Sequence, residues 1–406
     1  MRKLRLGAVL FCSLSATIML LLCFFWLSMP RTFGDEAFLI KWTSLVKKTL
    51  LGIDDKPAPE DFLYIDVSRS KRLVNEIDPL FEMYTGFSHT AITDRAQIAD
   101  LLNAIRSYTE EIPLVILDVN FQHESPQDSQ LQAAIDSFPY PIVVAGTLQA
   151  AVDSVQPIFD APSGVAMYLS VDNNFMKYPL YHGRKYPSLP LVAYELSHDV
   201  ESGQTGWWTR INGKASLSNP IIDFKIRPFD LRGEGRYHIH EMGSLLFQFS
   251  FWEENDIRLL FEGKTIVIGD YYNDMHTTVF GEMPGPVIVH NTYLTLVEDE
   301  TIVQREWIIF LLLLFFWLSW RIYEEERLGT RSWLWKRSQT ALGKVVADSI
   351  DDTFFLIVGT IISYLFFNIH INILVLLIYL KIMAYLLRRF YFRHPKVVPS
   401  LDSEEE

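Results

Sequence analysis

The stretch 114–119, LVILDV, decides the fold: five apolar residues surround a single aspartate, Asp118. Such a short, continuously apolar run is typical of a strand that is buried on both faces of a sheet. Helical periodicity precedes it over 96–108 and follows it over 128–138. Strand-like runs also lie at 62–67 (FLYIDV), 141–146 (PIVVAG), 219–226 (NPIIDFKI) and 265–269 (TIVIG). Strands that alternate with helices in this way predict an α/β domain with a mainly parallel sheet.

Longer apolar runs on either side of this domain predict four transmembrane α-helices. The chain is 49% hydrophobic and 21% charged, and its mean hydropathy of +0.13 is typical of a membrane protein. One span lies in 1–29, a second in 306–322, and a hairpin of two spans in 353–387. The first run is longer than the apolar part of a signal peptide and lacks a clear cleavage site. We therefore expect an uncleaved signal anchor.

Lysine and arginine residues next to these spans predict their orientation. The N-terminus, the loop 323–352 and the tail 388–406 are rich in basic residues, which favour the cytoplasmic side of a membrane. We therefore expect both termini in the cytoplasm and residues 30–305 outside it.

Charge and cysteine content exclude several classes of protein. The formal net charge of −13 argues against nucleic acid as a partner, because phosphate binding needs a basic surface. Both cysteines, Cys12 and Cys23, lie in the first apolar run, so no disulfide forms within the polar domain. The sequence contains no glycine-rich phosphate loop and no Gly-x-Ser-x-Gly turn. It therefore identifies no cofactor, and we expect no catalytic residue and no enzymatic activity.

Polar side chains stand where the predicted strands end, and ligands bind beyond the carboxyl ends of parallel strands. The candidate ligand-binding residues are Asp66, Asp118 and Asp270 near strand ends, Asp274 and His276 in the following loop, and His290 and Asn291 on the next helix. The alternative is that the aspartates only cap helices and close turns. That alternative is favoured over catalysis, whereas ligand contact and capping remain equally open.

A weaker alternative is a divalent-metal site at Asp274, His276 and His290, because aspartate and histidine are metal ligands. Their spacing is not diagnostic, and hydrogen bonds that brace the loop against the helix would explain the same residues. Pro286 suits the first turn of that helix. The helix would run through Leu294 toward the second span, so it could couple a neighbouring site to the membrane.

Several ordered blocks of the sequence resemble the CHASE2 family, the extracytoplasmic sensory domain of bacterial signalling proteins. The blocks are 62–72, 114–121 (LVILDVNF), 128–135, 187–195 (PSLPLVAYE) and 263–297 (GKTIVIGDYYNDMHTTVFGEMPGPVIVHNTYLTLV). The resemblance covers roughly residues 35–300. The family arrangement of one span, the domain and then three spans also matches the topology predicted above. Two positions depart from the family pattern: 172–177 (DNNFMK) replaces a glycine-containing turn that ends in arginine, and Val279 stands where proline is common.

The resemblance implies a periplasmic sensory domain in a multi-pass protein of the bacterial inner membrane. Family members usually continue into a kinase, cyclase or phosphodiesterase domain, whereas this chain ends soon after its last span. We therefore expect a small periplasmic ligand of unknown identity and a signal that passes to a separate protein partner or through a homo-oligomer. The basic loop offers candidate docking residues: Arg331, Trp333, Trp335, Lys336 and Arg337. The alternative function is a structural or assembly subunit of a cell-envelope complex.

Overall fold

The computed structural model describes residues 2–30, 34–53, 56–78, 83–121, 123–149, 154–156, 159–167, 175–183, 185–206, 208–232, 235–328 and 341–391. The chain divides into two compact units. The globular domain is Leu27–Val303, and the helical unit is Met1–Trp26 together with Gln304–Glu406. The candidate docking residues between 331 and 337 lie outside the described residues.

A parallel sheet forms the centre of the globular domain. Its strands, in spatial order, are β13 (Ile239–Glu241), β1 (Phe62–Asp66), β14 (Thr265–Gly269), β4 (Leu114–Asp118), β5 (Ile142–Gln149) and β7 (Ser163–Val165). A short strand, β6 (Ser154–Gln156), pairs antiparallel with the end of β5. The predicted α/β class and mainly parallel sheet are confirmed.

Helices cover both faces of the sheet. One face carries α3 (Arg95–Tyr108), α4 (Asp128–Asp136), α6 (Met242–Phe249) and α7 (Glu254–Phe261). The other carries α2 (Gly34–Leu45), α5 (Leu189–His198) and α8 (Gly285–Val297). Successive strand residues point to opposite faces, so Ile266 and Ile268 of β14 enter the first core and Val267 enters the second. This two-sided burial explains why the strands are apolar throughout.

Smaller antiparallel pairs surround the sheet. They are β2 (Lys71–Asp78) with β3 (Met83–Thr93), β8 (Tyr181–His182) with β9 (Tyr186–Pro187), β10 (Ser202–Thr205) with β11 (Trp208–Ile211) and β12 (Lys214–Leu217), and β15 (Met275–Thr278) with β16 (Gly281–Pro284). Short 3-10 turns occur at Pro59–Asp61 and Pro228–Leu231, and π-helical turns at Val46–Leu50 and Leu387–Tyr391.

The predicted strand at 219–226 is wrong. Apart from an isolated bridge between Lys177 and Ile221, this buried segment is irregular. Side chains satisfy part of its backbone: Asn291 bonds both the N–H and the carbonyl of Ile226, at 3.0 and 2.9 Å. An apolar run therefore indicated burial correctly, but local sequence does not reveal which groups satisfy a buried backbone.

The helical unit contains α1 (Arg2–Leu27), α9 (Arg305–Leu328), α10 (Ala341–Phe367) and α11 (Ile373–Leu386). Among the described residues, two helical stretches are long and apolar enough to cross a membrane, Leu6–Leu27 and Arg305–Glu325. The expectation of four such helices is met only in part. The described apolar part of α10, Asp352–Phe367, is shorter, and α11 has only 14 residues before its π-helical turn.

The connection between α10 and α11 is a tight turn, as the sequence predicted. Asn368 adopts a left-handed conformation with φ of 54°, which asparagine tolerates better than most residues. Asn372 then caps α11 by accepting a hydrogen bond from the N–H of Val375 at 3.0 Å. Two asparagines therefore reverse the chain within five residues.

Gly164 in β7 lies where a side chain has no room. An added Cβ would lie 2.6 Å from backbone atoms of Leu189 at the start of α5. Overpacking of this kind typically costs 1–3 kcal/mol, so we expect Gly164→Ala to lower the free energy of unfolding by about that amount. Thermal unfolding of the full chain in detergent measures the loss. Gly203→Ala is the matched control, because nothing lies within 4 Å of its added Cβ; equal losses in both variants would contradict the prediction.

Candidate functional site

An open cleft of about 620 Å³ lies at the carboxyl edge of the sheet. Three of the predicted residues at strand ends and in the following loop, Asp118, Asp270 and Asp274, line it together with His276. Its other walls contain Val67, Lys71, Thr90, Ala91, Ile92, Thr93, Val119, Asn120, His123, Ala145, Gly146, Ala166, Met167, Asn273, Gly285 and Val289. The cleft is therefore polar at the sheet edge and apolar along much of its wall.

The register of the sheet brings these residues together. Gly269 at the end of β14 pairs with Asp66 of β1 on one side and with Asp118 of β4 on the other. The chain then turns away from the sheet at Asp270. An added Cβ on Gly269 would lie 2.3 Å from Cγ of Pro286 and 3.0 Å from the carbonyl oxygen of Asp118. The absence of a side chain here lets α8 begin directly over the strand ends.

Asp66 and Asp270 lie at the edge of the sheet, and their carboxylate groups are hydrogen-bonded mainly to nearby residues. Asp66 Oδ1 accepts hydrogen bonds from the N–H of Ser68 at 2.9 Å and of Tyr271 at 3.0 Å. Asp270 accepts from the N–H groups of Tyr272 and Asn273, and its Oδ2 lies 3.1 Å from Nζ of Lys71. For these two aspartates, the capping alternative describes most of what the side chains do.

The surroundings of Asp270 keep it ionised. Burial alone would raise the pKa of its carboxyl group. Hydrogen bonds from Asn273 and the ion pair with Lys71 outweigh that effect and lower the pKa below its usual range.

Asp118 differs from these two because its carboxyl group lines the cleft and is not engaged by nearby groups that the structure describes. Among the described residues, none donates a hydrogen bond to its side chain. Burial raises its pKa to about 8, and the negative charge of Asp274 adds to the effect. The Asp118 carboxyl group is half-buried and open to the cleft, so it is available to a hydrogen-bond donor or a cation that enters the cleft.

Asp274 and His276 form a pair at the mouth of the cleft. His276 Nε2 lies 2.7 Å from Asp274 Oδ1, and the imidazole ring lies 5.2 Å from the ring of Phe175. The N–H of Gly285 donates to the carbonyl of Asp274 at 2.7 Å. An added Cβ on Gly285 would collide with the Asp274 carboxylate, so this glycine allows the loop to lie against the first turn of α8.

His290 and Asn291 do not line the cleft. His290 is fully buried, its Nδ1 lies 2.7 Å from the Tyr64 hydroxyl, and its ring packs against Phe62 at 4.5 Å. Burial lowers its pKa to about 3, so the imidazole is neutral at physiological pH. Asn291 bonds the backbone of Ile226, as described above. Both side chains hold α8 in the domain.

The alternative metal site is not assembled. His290 lies between α8 and the sheet, while Asp274 and His276 bond each other at the cleft. Within the described part of the chain, no group of three histidine, cysteine, aspartate or glutamate side chains is arranged to hold a metal ion.

Sequence reasoning missed the residues that the β2–β3 arm contributes. Lys71, Thr90 and Thr93 line the cleft from this arm. The predicted first strand ends at 67, and nothing local in the sequence indicates that an antiparallel arm follows it and folds over the sheet edge. His123, which also lines the cleft, follows the predicted strand end of β4, so its position there offered a signal.

The fold and the cleft define a parallel α/β domain with an open site at the carboxyl edge of its sheet. A family model for the CHASE2 domain matches residues 69–322, more than half of the chain. The chain belongs to the CHASE2 family, a family of extracytoplasmic sensory domains, and the resemblance seen in the sequence is confirmed. No curated protein and no solved structure matches the chain. The family and the two apolar helices together indicate a membrane protein.

The raised pKa of Asp118 predicts a pH dependence of stability. Its carboxyl group stays protonated in the folded state up to about pH 8, whereas its ordinary pKa is 3.8. The folded state therefore holds a proton that the unfolded state releases, so its contribution to the free energy of unfolding falls as pH rises between these values. We expect Asp118→Asn to be more stable than the natural chain by at least about 1 kcal/mol at pH 8, with no gain below pH 4.

Chemical unfolding of the full chain at several pH values measures this difference. Asp270→Asn is the matched control with the opposite sign: its pKa is lowered, so its replacement should destabilise the protein at neutral pH and matter less as pH falls. A gain from Asp118→Asn that does not change with pH would contradict the assignment.

Proposed function

We propose that this protein is a membrane-embedded sensor that binds a small extracytoplasmic ligand in the cleft and passes the signal to a separate cytoplasmic partner. The single observation that carries the proposal is the carboxyl group of Asp118, which lines an open cleft of about 620 Å³ and receives no hydrogen bond from the part of the chain that the structure describes. A volume of this size suits a small organic molecule.

The cleft favours a ligand with a cationic or hydroxyl group on an apolar body. Burial and the negative charge of Asp274 disfavour the ionised form of Asp118, so a positive charge or a hydrogen-bond donor between the two carboxyl groups would stabilise that form. Ile92, Val119 and Val289 offer an apolar wall for the rest of the molecule. The proposal does not include catalysis, because the described residues that line the cleft contain no serine or cysteine nucleophile.

A chain of direct contacts supports relay from the cleft to α2. Beside the His276 ring, the N–H of Phe175 donates to the carbonyl of Thr277 at 2.9 Å. Two residues further on, Lys177 forms a buried ion pair with Glu36 of α2 at 2.8 Å. Since α2 follows the first membrane helix, a ligand that favours one position of the segment from Phe175 to Lys177 would bias α2. Contacts alone do not demonstrate coupling, so the relay is part of the proposal.

Polar contacts within the helical unit support a four-helix membrane bundle. Ser15 of α1 bonds Ser319 of α9 at 2.8 Å, and Asp352 of α10 bonds Arg321 of α9 at 2.5 Å and Lys381 of α11 at 2.8 Å. Polar side chains that pair across helices are typical of membrane bundles. We propose four spans in the bacterial inner membrane, with both termini in the cytoplasm and the globular domain in the periplasm.

Labelling of single cysteines tests this topology. In a variant that lacks Cys12 and Cys23, we expect Lys214→Cys and Asn368→Cys to react with a membrane-impermeant maleimide added to spheroplasts, because both positions face the periplasm. Lys336→Cys should react only after the membrane is opened. Labelling of Lys336→Cys from outside would show that the orientation is the reverse of the one proposed. If Lys214→Cys reacts but Asn368→Cys does not, the two hairpin helices do not span the membrane.

A capture experiment tests the relay. The full-length protein is crosslinked in its native membrane, purified and analysed by mass spectrometry; we expect a cytoplasmic kinase, cyclase or phosphodiesterase to be recovered. The loop between α9 and α10 is far below the size of a catalytic domain, so a signal that reaches it needs a partner. Replacing Arg331, Lys336 and Arg337 together by glutamate should abolish recovery, because it reverses the charge of the docking loop.

In the matched control, three exposed arginines of the globular domain are replaced by glutamate: Arg106, Arg210 and Arg258. This variant should recover the same partner as the natural chain. Recovery of cell-envelope assembly proteins without a signalling enzyme would contradict the proposal that this protein is a sensor and would favour a structural subunit. Unchanged recovery after reversal of the loop charges would exclude the loop as the docking site.

A further inference from the structure

The helix α2 presents a row of large apolar side chains to the outside of the globular domain. Phe38, Trp42 and Leu45 are 61%, 51% and 43% exposed, and their spacing of four and three residues places them on one helical face. Leu50 and Leu51 continue the row at 78% and 50% exposure. Exposed apolar rows of this length mark surfaces that something else covers.

The opposite face of α2 explains why the helix does not rotate to bury this row. Glu36 pairs with Lys177 in the interior, and Ile40 enters the hydrophobic core. In the turn that follows, Lys48 Nζ bonds the carbonyl of Phe224 at 2.8 Å and pairs with Asp223 at 2.9 Å. These buried contacts fix the rotation of the helix, so the apolar row points outward.

Contacts within the globular domain show that α2 lies at the end where the chain leaves for both spans. Lys47, just after α2, lies 4.0 Å from Glu300, and Arg305 begins the second apolar helix five residues later. Asn219 binds the carbonyl of Ser28, the first residue after α1, at 2.7 Å. In the same region Leu217 and Thr301 are joined by a backbone hydrogen bond of 3.0 Å.

Chain length limits how far the apolar row can stand from a bilayer. Six residues lie between Leu27, the end of α1, and Gly34, the start of α2, so seven steps from Cα to Cα span at most about 25 Å. The five steps from Cα to Cα between Glu300 and Arg305 span at most about 18 Å. If the two apolar helices span a bilayer, connections this short keep the chain at both ends of the globular domain close to it.

We infer that the exposed face of α2 lies in the outer surface of the lipid bilayer, as an interfacial helix attached to the globular domain. This inference rests on the proposed membrane placement of the chain. Tryptophan and phenylalanine favour the depth of the lipid headgroups, and Lys41, exposed beside Trp42, suits the headgroup phosphates. A second copy of the chain fits less well, because a face of a helix about 18 Å long is too small for a stable dimer on its own.

A fluorescent probe at Leu45 tests the inference without removing Phe38 or Trp42. Full-length Leu45→Cys, in a chain without Cys12 and Cys23, is labelled with a bimane and placed in nanodiscs of phosphatidylcholine and phosphatidylglycerol. Lipids brominated near the carbonyl end of the acyl chain should quench the probe by about twofold, because interfacial helices bury their apolar face 5–10 Å deep. Aqueous iodide should have little effect on the same probe.

Leu259→Cys is the matched control: it is also an exposed leucine, 64% exposed on α7, and should be quenched by iodide and not by brominated lipid. If iodide quenches the Leu45 probe as strongly as the Leu259 probe, the inference is wrong. If both quenchers fail and two labelled copies instead show energy transfer, a second copy covers the face, and the inference is also wrong.

A third probe separates this inference from the proposed membrane placement. Leu313, in the middle of the second apolar helix, is 66% exposed, and Leu313→Cys should be strongly quenched by brominated lipid. Quenching at Leu313 without quenching at Leu45 would overturn only the interfacial helix. Absence of quenching at both positions would overturn the membrane placement and the interfacial helix together.

Discussion

The position of β14 between β1 and β4, in continuous parallel register, is the constraint on which the rest of the structure depends. Gly269 ends this central strand with Asp66 on one side and Asp118 on the other. The strand is buried throughout, so the chain can turn only at its end, where Asp270 begins the loop to α8. The open cleft, the loop and the helix that leads toward the second apolar helix all start from this one edge.

The polar residues at that edge divide into two groups with different physical roles. Asp66 and Asp270 receive several hydrogen bonds from nearby backbone and side-chain groups, and these bonds hold the loop. Asp118 receives none from the described residues, and burial therefore raises its pKa. A carboxyl group that stabilises its own fold and one that is left for a ligand look identical in the sequence. They differ only in how many donors surround them.

A second group of buried charges joins the segments next to the two apolar helices. Lys48 and Lys225 pair with Asp223, and Lys225 also pairs with Glu298 and lies 3.5 Å from Glu300. Breaking one partner of a buried pair is costly because it leaves the other charge uncompensated. The segment that contains Asp223 and Lys225 therefore joins the turn after α2 to the end of α8.

The sequence by itself determined the class of the fold and its main elements, because strands buried on both faces must be apolar throughout and the helices beside them must be periodic. It also determined the family and placed Asp118, Asp274 and His276 correctly at the carboxyl edge. Only the tertiary structure decided that His290 and Asn291 hold α8 instead of facing the cleft, and that the segment around Asp223 is not a strand. Those outcomes depend on partners distant in the chain, such as Tyr64 for His290 and Ile226 for Asn291. Local sequence does not specify which distant groups will satisfy a buried side chain, so this part had to come from the folded structure.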